Sequence, residues 1–387
     1  MQNSRLCSPS KKKSSSSADE IGKSIDILWE IFLWLPLKPL FQLKLVSKPW
    51  LTLISDQRFR EFHYLHQRSR PTSLILSDRK GFGRLGSPIL SFTTTTPTFG
   101  VDNLDFLNHS NVIIERCCNG FLLCSLGSTY FICNPITKDF TTLTLRNHPL
   151  RNRRIELYLA FDPSLSRYYK VLSVAQQVDN WVFNVYSFKN KSWISPGVSF
   201  PTPFALEAAN GVYCNRVIHW CNEAEFSVCF DVDTLHLRNW PMPISDSEWV
   251  NRRMKYFGES AGRLHLVLTV SKQPFKYDIF ELKEDYSGWL LRHRVDLEPL
   301  QHMQGLYSFA LTIFRPVKED ISMLVLVADR ETLLLYDPVT SRKLCDVEMG
   351  SAADHIRYKV TYGEILQYSE NSALVEACTD KAETDST

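Results

Sequence analysis

The chain has almost no net charge, no long apolar run, and neither an H-E-x-x-H metal helix nor a P-loop. Forty-four Lys and Arg oppose 42 Asp and Glu, a formal net charge of +2 in 387 residues. So even a balance leaves no electrostatic footprint for nucleic acid. The longest apolar stretch, Ile27 to Leu37, is broken by Glu30 and Pro36. It falls well short of the roughly 20 residues that span a bilayer. Residues 1–20 carry Lys11 to Lys13 and Ser14 to Ser17 without the apolar segment of a secretory signal. These absences predict a cytoplasmic or nuclear protein with no membrane partner. In that reducing setting the 10 Cys are expected as thiols, and the sequons at Asn108 and Asn190 as unmodified.

What is present is aromatic and divided. Nine Trp, 15 Tyr and 23 Phe favour β structure, where such side chains fit the pleated surface. Residues 1–20 are too polar to bury a core and read as a disordered tail. Residues 22–67 differ from all that follows. Ile27, Leu28, Ile31, Phe32 and Leu35 recur at helical spacing, with Asp26 as the expected cap and Pro36 as the stop. Pro39 suits the first turn of a second helix reaching about Val46. Ser47 and Asp56 can cap a third and a fourth. A helical cluster this small has a thin core and leans on a partner surface.

From about residue 71 to 370 short apolar runs alternate with turn signals, and residues 371–387 read as a flexible tail. One phrase recurs: an apolar strand, a polar turn and a bulky closing residue. It runs from Phe131 to Phe140, Tyr186 to Trp193, Cys229 to Trp240, Ile279 to Trp289, and Leu335 to Leu344. The copies start about 45–55 residues apart, the spacing of four-stranded propeller blades. Each is expected to be a hairpin late in a blade, its closing aromatic packed between blades. The fold class is therefore multidomain: a small all-α cluster, then an all-β propeller-like domain of about six blades. A sandwich or barrel has no reason to repeat at this interval.

The segment Asp26-Ile27-Leu28-Trp29-Glu30-Ile31-Phe32, then Leu35-Pro36-Leu37-Lys38-Pro39-Leu40, Val46-Ser47-Lys48-Pro49-Trp50 and Leu53-Ile54-Ser55-Asp56, closely resembles the F-box of plant proteins. Downstream, Cys118-Asn119-Gly120-Phe121-Leu122, Asn134-Pro135-Ile136-Thr137, Phe161-Asp162-Pro163 and Asn210-Gly211-Val212-Tyr213 with His219-Trp220 resemble the F-box-associated domain of the same family. One departure is Lys23-Ser24, where the family opens its F-box with Leu-Pro. The resemblance implies a non-catalytic substrate receptor without a cofactor. Its F-box would bind a Skp-type adaptor and through it a cullin–RING ubiquitin ligase, while the β domain would capture an unidentified protein target. Leu35, Pro36, Leu40, Val46, Lys48, Trp50 and Leu53 are expected to divide between the helical core and the adaptor. Trp50 is the anchor candidate, because Trp dominates binding hot spots. Trp249 with Arg252 and Arg253 is the most interface-like loop cluster.

Other patterns are weaker. Gly81-Phe82-Gly83-Arg84-Leu85-Gly86 fits G-x-G-x-x-G, but Pro88 and a Thr-rich stretch follow where a dinucleotide site needs a helix. Cys214, His219, Cys221 and Cys229 lack the tight knuckle spacing of zinc ligands and read as strand residues. Two alternatives to the ligase reading are an F-box protein acting outside ubiquitination and a propeller lectin or enzyme holding a small ligand.

Overall fold

The chain divides into two units at His66 and Gln67, and among the described residues the first holds four short helices. The structure, a computed structural model, describes residues 24–67, 73–77, 89–91, 98–100, 104–107, 112–145, 155–201, 211–222, 226–260, 262–300, 310–314, 323–328, 332–340, 342–348, 364–368 and 375. The helices are α1 (Ile25–Leu33), α2 (Leu37–Leu43), α3 (Lys48–Ser55) and α4 (Gln57–Gln67).

α1 starts after Ser24 rather than at the expected cap Asp26, which lies in the first turn. There a carboxylate still complements the helix dipole. Pro36 pushes Leu35 away from helical backbone, so α1 stops short of it. α2 ends at Leu43 instead of reaching Val46. Lys44, Leu45 and Val46 each donate to a carbonyl three residues back, a tightened turn that closes the helix early. The other two caps form as expected. The Ser47 hydroxyl accepts from the Trp50 N–H at 3.3 Å, and Asp56 Oδ1 accepts from the Phe59 N–H at 3.1 Å. Leu28, Phe32, Leu40, Ile54 and Phe59 make the core.

The second unit is built from antiparallel sheets of consecutive strands, six among the described residues. Sheet one holds β1 (Ser73–Ser77), β2 (Ile89–Ser91) and β3 (Thr98–Gly100). Sheet two holds β4 (Ile113–Cys118), β5 (Phe121–Leu126), β6 (Thr129–Asn134) and β7 (Asp139–Leu143). Sheet three holds β8 (Ile155–Ala160), β9 (Lys170–Gln177), β10 (Asn180–Ser187), β11 (Ser192–Ile194) and β12 (Ser199–Pro201). Sheet four holds β13 (Val212–Cys214), β14 (Val217–His219), β15 (Phe226–Asp231) and β16 (His236–Pro241). Sheet five holds β17 (Met254–Ser260), β18 (Arg263–Val270), β19 (Gln273–Leu282) and β20 (Trp289–Asp296). Sheet six holds β21 (Ala310–Phe314), β22 (Met323–Ala328), β23 (Thr332–Asp337) and β24 (Arg342–Glu348). The last strand, β25 (Glu364–Tyr368), returns to sheet one and pairs with β1 from Ser73↔Tyr368 to Ser77↔Glu364.

The five recurring phrases are the hairpins joining the third and fourth strands of sheets two to six. Their turns share a mechanism. Asn134 Oδ1 accepts from the Ile136 N–H at 3.0 Å. Asp231 Oδ1 accepts from the Asp233 and Thr234 N–H groups at 2.9 Å, and Asp337 Oδ1 from Val339 at 2.7 Å. A short acceptor side chain thus replaces a backbone acceptor and sets the turn. Trp193 and Trp289 close their hairpins against the preceding sheet, their indole N–H groups donating to Thr144 O at 3.1 Å and Pro241 O at 2.9 Å. The Trp240 ring lies 5.5 Å from that of Trp289. Phe140 instead packs on Phe131 within its own sheet, and the Leu344 side chain lies outside the described residues.

Buried clusters lie between sheets one and two, two and three, three and four, four and five, and five and six. Val375, within the stretch expected as a free tail, is buried in the cluster between sheets two and three. Gln367 on β25 supplies the link from sheet one back to the later sheets. Its amide donates to Glu259 O at 3.0 Å, and Ile313 O, Thr312 Oγ1 and Tyr256 Oη also surround it. Two hydrogens serve four acceptors, so the amide shares them among strands from sheets five and six.

Two pairs of residues latch neighbouring sheets in the same way. Cys118 Sγ and Asn119 Nδ2 both donate to Phe161 O, at 3.4 and 2.7 Å. Cys214 Sγ and Asn215 Nδ2 both donate to Gly262 O, at 3.5 and 3.4 Å. Asn119 and Gly120 have φ of 46° and 87°, the left-handed pair that a two-residue hairpin turn requires.

Candidate functional site

The helical unit leaves much of its apolar surface uncovered. Ile25, Ile27, Ile31, Trp34, Leu45, Val46, Leu51, Phe62 and Leu65 are all exposed. Ile27, Ile31 and Trp34 follow one another at i, i+4 and i+7 along α1, a single stripe. Leu45 and Val46 sit on the tightened turn after α2, at 89% and 59% exposure. Large apolar groups held this far into water mark an interaction surface.

The expected adaptor-binding residues fall into three groups. Leu40 and Leu53 are buried. Leu35 and Trp50 are half-buried, the Trp50 ring standing edge-on to Phe32 at 5.1 Å. Pro36, Val46 and Lys48 are exposed. Sequence reasoning did not single out the stripe on α1, because helical spacing identified its residues as apolar without separating inner from outer faces. It also passed over His63, whose ring is buried and whose Nε2 lies 2.8 Å from Leu35 O.

Electrostatics in this unit is sparse. Lys44 lies 4.3 Å from the Phe41 ring centroid. Its ammonium pKa is lowered by burial, and then by the Arg60 charge.

The loop cluster of the β unit is arranged differently from its expectation. Trp249 is 4% exposed and belongs to the core between sheets four and five. Arg252 is bound to the buried Asp278 and also donates to Thr269 O at 2.9 Å. Asp278 takes a second guanidinium, Arg294 Nε, at 2.7 Å. Arg253 alone of the three is exposed, and its guanidinium donates to the Trp249 and Arg252 carbonyls. The cluster therefore knits the loop before β17 to sheet five. A Trp and an Arg, which favour interfaces, are equally satisfied by an internal one.

Cys214, Cys221 and Cys229 share an apolar cluster with Trp240. Burial pushes the Cys229 thiol up to about 11. His219 Nε2 lies 2.9 Å from the Tyr286 hydroxyl, and burial lowers its imidazole to about 4. Among the described residues no group of three His, Cys, Asp or Glu is placed to hold a metal ion. The Gly81 to Gly86 pattern lies outside the described residues. One further pattern is legible in the sequence: Gly258-Glu259-Ser260-Ala261-Gly262 fits G-x-S-x-G. A nucleophile elbow must expose its Ser between a strand and a helix. Ser260 is 1% exposed and ends β17, and the chain passes into β18 instead of a helix. Among the described residues no helix is long and apolar enough to cross a membrane.

A helical unit with an uncovered apolar surface is followed by a β unit of latched four- and five-stranded antiparallel sheets. Residues 24–62 match the F-box domain, and residues 90–279 match the F-box associated beta propeller domain. The chain is 26% identical over 379 residues to F-box protein At5g07610 of Arabidopsis thaliana, covering 86% of this chain and 88% of that protein. It is 23% identical over 391 residues to F-box protein At1g30790 of the same plant, covering 87% and 92%. Among solved structures, the SapL1 lectin in complex with alpha methyl fucoside covers 69% of this chain and 90% of its own, at 9% identity and a TM-score of 0.42, too slight a likeness to carry an argument. The chain thus carries both domains of a plant F-box protein, the F-box and the F-box-associated domain.

Proposed function

We propose that the chain is the substrate-recognition subunit of an SCF-type ubiquitin ligase. The F-box docks on a Skp-type adaptor, which joins it to a cullin–RING scaffold, and the β domain captures a protein target. The carrying observation is the apolar surface of residues 24–66, at odds with a helical unit working alone. In this reading Pro36, Val46 and Lys48 meet the adaptor, Leu40 and Leu53 support them from the core, and Leu35 and Trp50 serve both. Truncating a central anchor of such an interface costs ~2 kcal/mol or more, about thirtyfold in affinity. The chain contributes no catalytic group. It raises the concentration of the target around a ubiquitin-loaded enzyme. Loops of the β domain supply the target surface, with Arg253 the exposed side chain of the cluster around Trp249. Such a receptor works in the cytoplasm or nucleus.

The test is titration of the full chain against a plant Skp-type adaptor. Val46→Asp should weaken binding about thirtyfold, with the β-domain melt unchanged. Removal of residues 22–67 should abolish binding. Binding that survives this deletion would overturn the reading.

A further inference from the structure

The turn between α1 and α2 is held from a distance. Leu35 precedes Pro36, so its backbone is turned away from the helix and its carbonyl lies beyond the last helical bond of α1. The Leu35 N–H donates to Phe32 O at 3.2 Å, and the Pro36 carbonyl accepts from the Leu40 N–H at 3.1 Å to start α2. The last helix reaches this turn at two points, the Leu35 carbonyl and the Trp34 ring, which lies edge-on to His66 at 4.2 Å. His63, on α4, brings Nε2 within 2.8 Å of the Leu35 carbonyl. A carbonyl oxygen only accepts, so Nε2 carries the hydrogen. The His63 ring is 3% exposed, its centroid 5.9 Å from that of Phe59. Burial lowers its pKa, so the neutral ring is the resting form.

We propose that His63 is a positioning residue for adaptor docking: from the last helix it donates a part-buried hydrogen bond to the Leu35 carbonyl and fixes the Leu35-Pro36 turn that the adaptor meets. The inference rests on the docking reading above and adds to it a residue that the interface need not touch. The consequence runs along the chain. The turn sets the direction of α2, and the end of α2 carries Leu45 and Val46. Without the bond a half-buried carbonyl loses its partner, and the turn relaxes to satisfy it elsewhere.

The experiment compares the full-length chain with His63→Phe, which keeps a ring but loses the donor, and His63→Gln, whose amide N–H can replace Nε2. Each is titrated against a plant Skp-type adaptor, and the free chains are followed by hydrogen exchange at the Leu40 amide, which donates to Pro36 O. We expect His63→Phe to weaken binding about tenfold and to speed exchange at the Leu40 amide. His63→Gln should recover adaptor affinity to within about threefold of wild type. Equal losses for Phe and Gln would overturn the positioning role and leave adaptor docking intact. No binding by the wild-type chain would overturn the docking reading itself, whatever exchange shows at the turn.

Discussion

Between residues 24 and 66, Ile25, Ile27, Ile31, Trp34, Leu45, Val46, Leu51, Phe62 and Leu65 are exposed. The described part of the β unit, several times longer, exposes Phe140, Leu165, Val178, Ile194, Phe226, Val250, Leu290, Leu291 and Val339. The same number of large apolar groups is thus crowded into a fraction of the chain. The β unit closes its surface by packing each sheet on the next, and by returning β25 to β1. Four short helices have no such recourse: a thin core can enclose only one face of each. The lesson concerns where stability is held. In the β unit apolar surface is covered internally, whereas the helical unit leaves much of its own uncovered.

Equal injuries should therefore have unequal effects. Phe59 and Phe121 are both 0% exposed, and replacing either by Ala should cost ~3–5 kcal/mol. In the helical unit that is about the whole margin a core of this size supplies, so Phe59→Ala should erase the helical signal of residues 24–66. Phe121→Ala should leave the β unit folded at 25 °C with a lower Tm. Circular dichroism with hydrogen exchange separates the two, and identical responses would dissolve the contrast.

A smaller change sharpens the account of the β unit. A Cβ on Gly211 would lie 2.5 Å from Tyr158 Cε1 and 2.8 Å from Trp220 Nε1, inside the contact between sheets three and four. Gly211→Ala should lower stability by ~1–3 kcal/mol through overpacking, read as a drop in Tm of the β unit alone. An unchanged Tm would show that the rings yield.

The smallest expected effect is set by pH. A hydrogen bond from His265, aided by Arg292, holds the Glu281 carboxyl down at about 2, against 4.5 when free. A carboxyl whose folded pKa is depressed contributes stability above its unfolded pKa and loses it as pH falls toward the folded value. The Tm of the β unit should therefore decline as pH drops from about 4.5 to about 2, and Glu281→Gln should flatten that part of the curve. The helical unit has no counterpart to this group in the structure's described residues, so its own acid response should be indifferent to the substitution.

Much of this architecture is legible from residue spacing. The caps Ser47 and Asp56 could be read because each bond joins residues three apart. The hairpin turns at Asn134, Asp231 and Asp337 could be read for the same reason. The start of α1 could not: Ser24 makes no side-chain cap bond, so Asp26 was the better-looking candidate on local grounds. The roles of Trp249 and Arg252 were hidden because their partners come from other strands, the apolar cluster between sheets four and five and the carboxylate of Asp278.

The amino-acid order alone determined the two-part division, the helical caps and the repeating hairpins, since each depends on groups a few residues apart competing for the same backbone. Tertiary packing decided which side chains remain at the surface. It buried Trp249, joined His63 to Leu35 and left Val46 in water. Burial is a property of neighbours brought together from distant parts of the chain, and local spacing carries no information about which face they will cover.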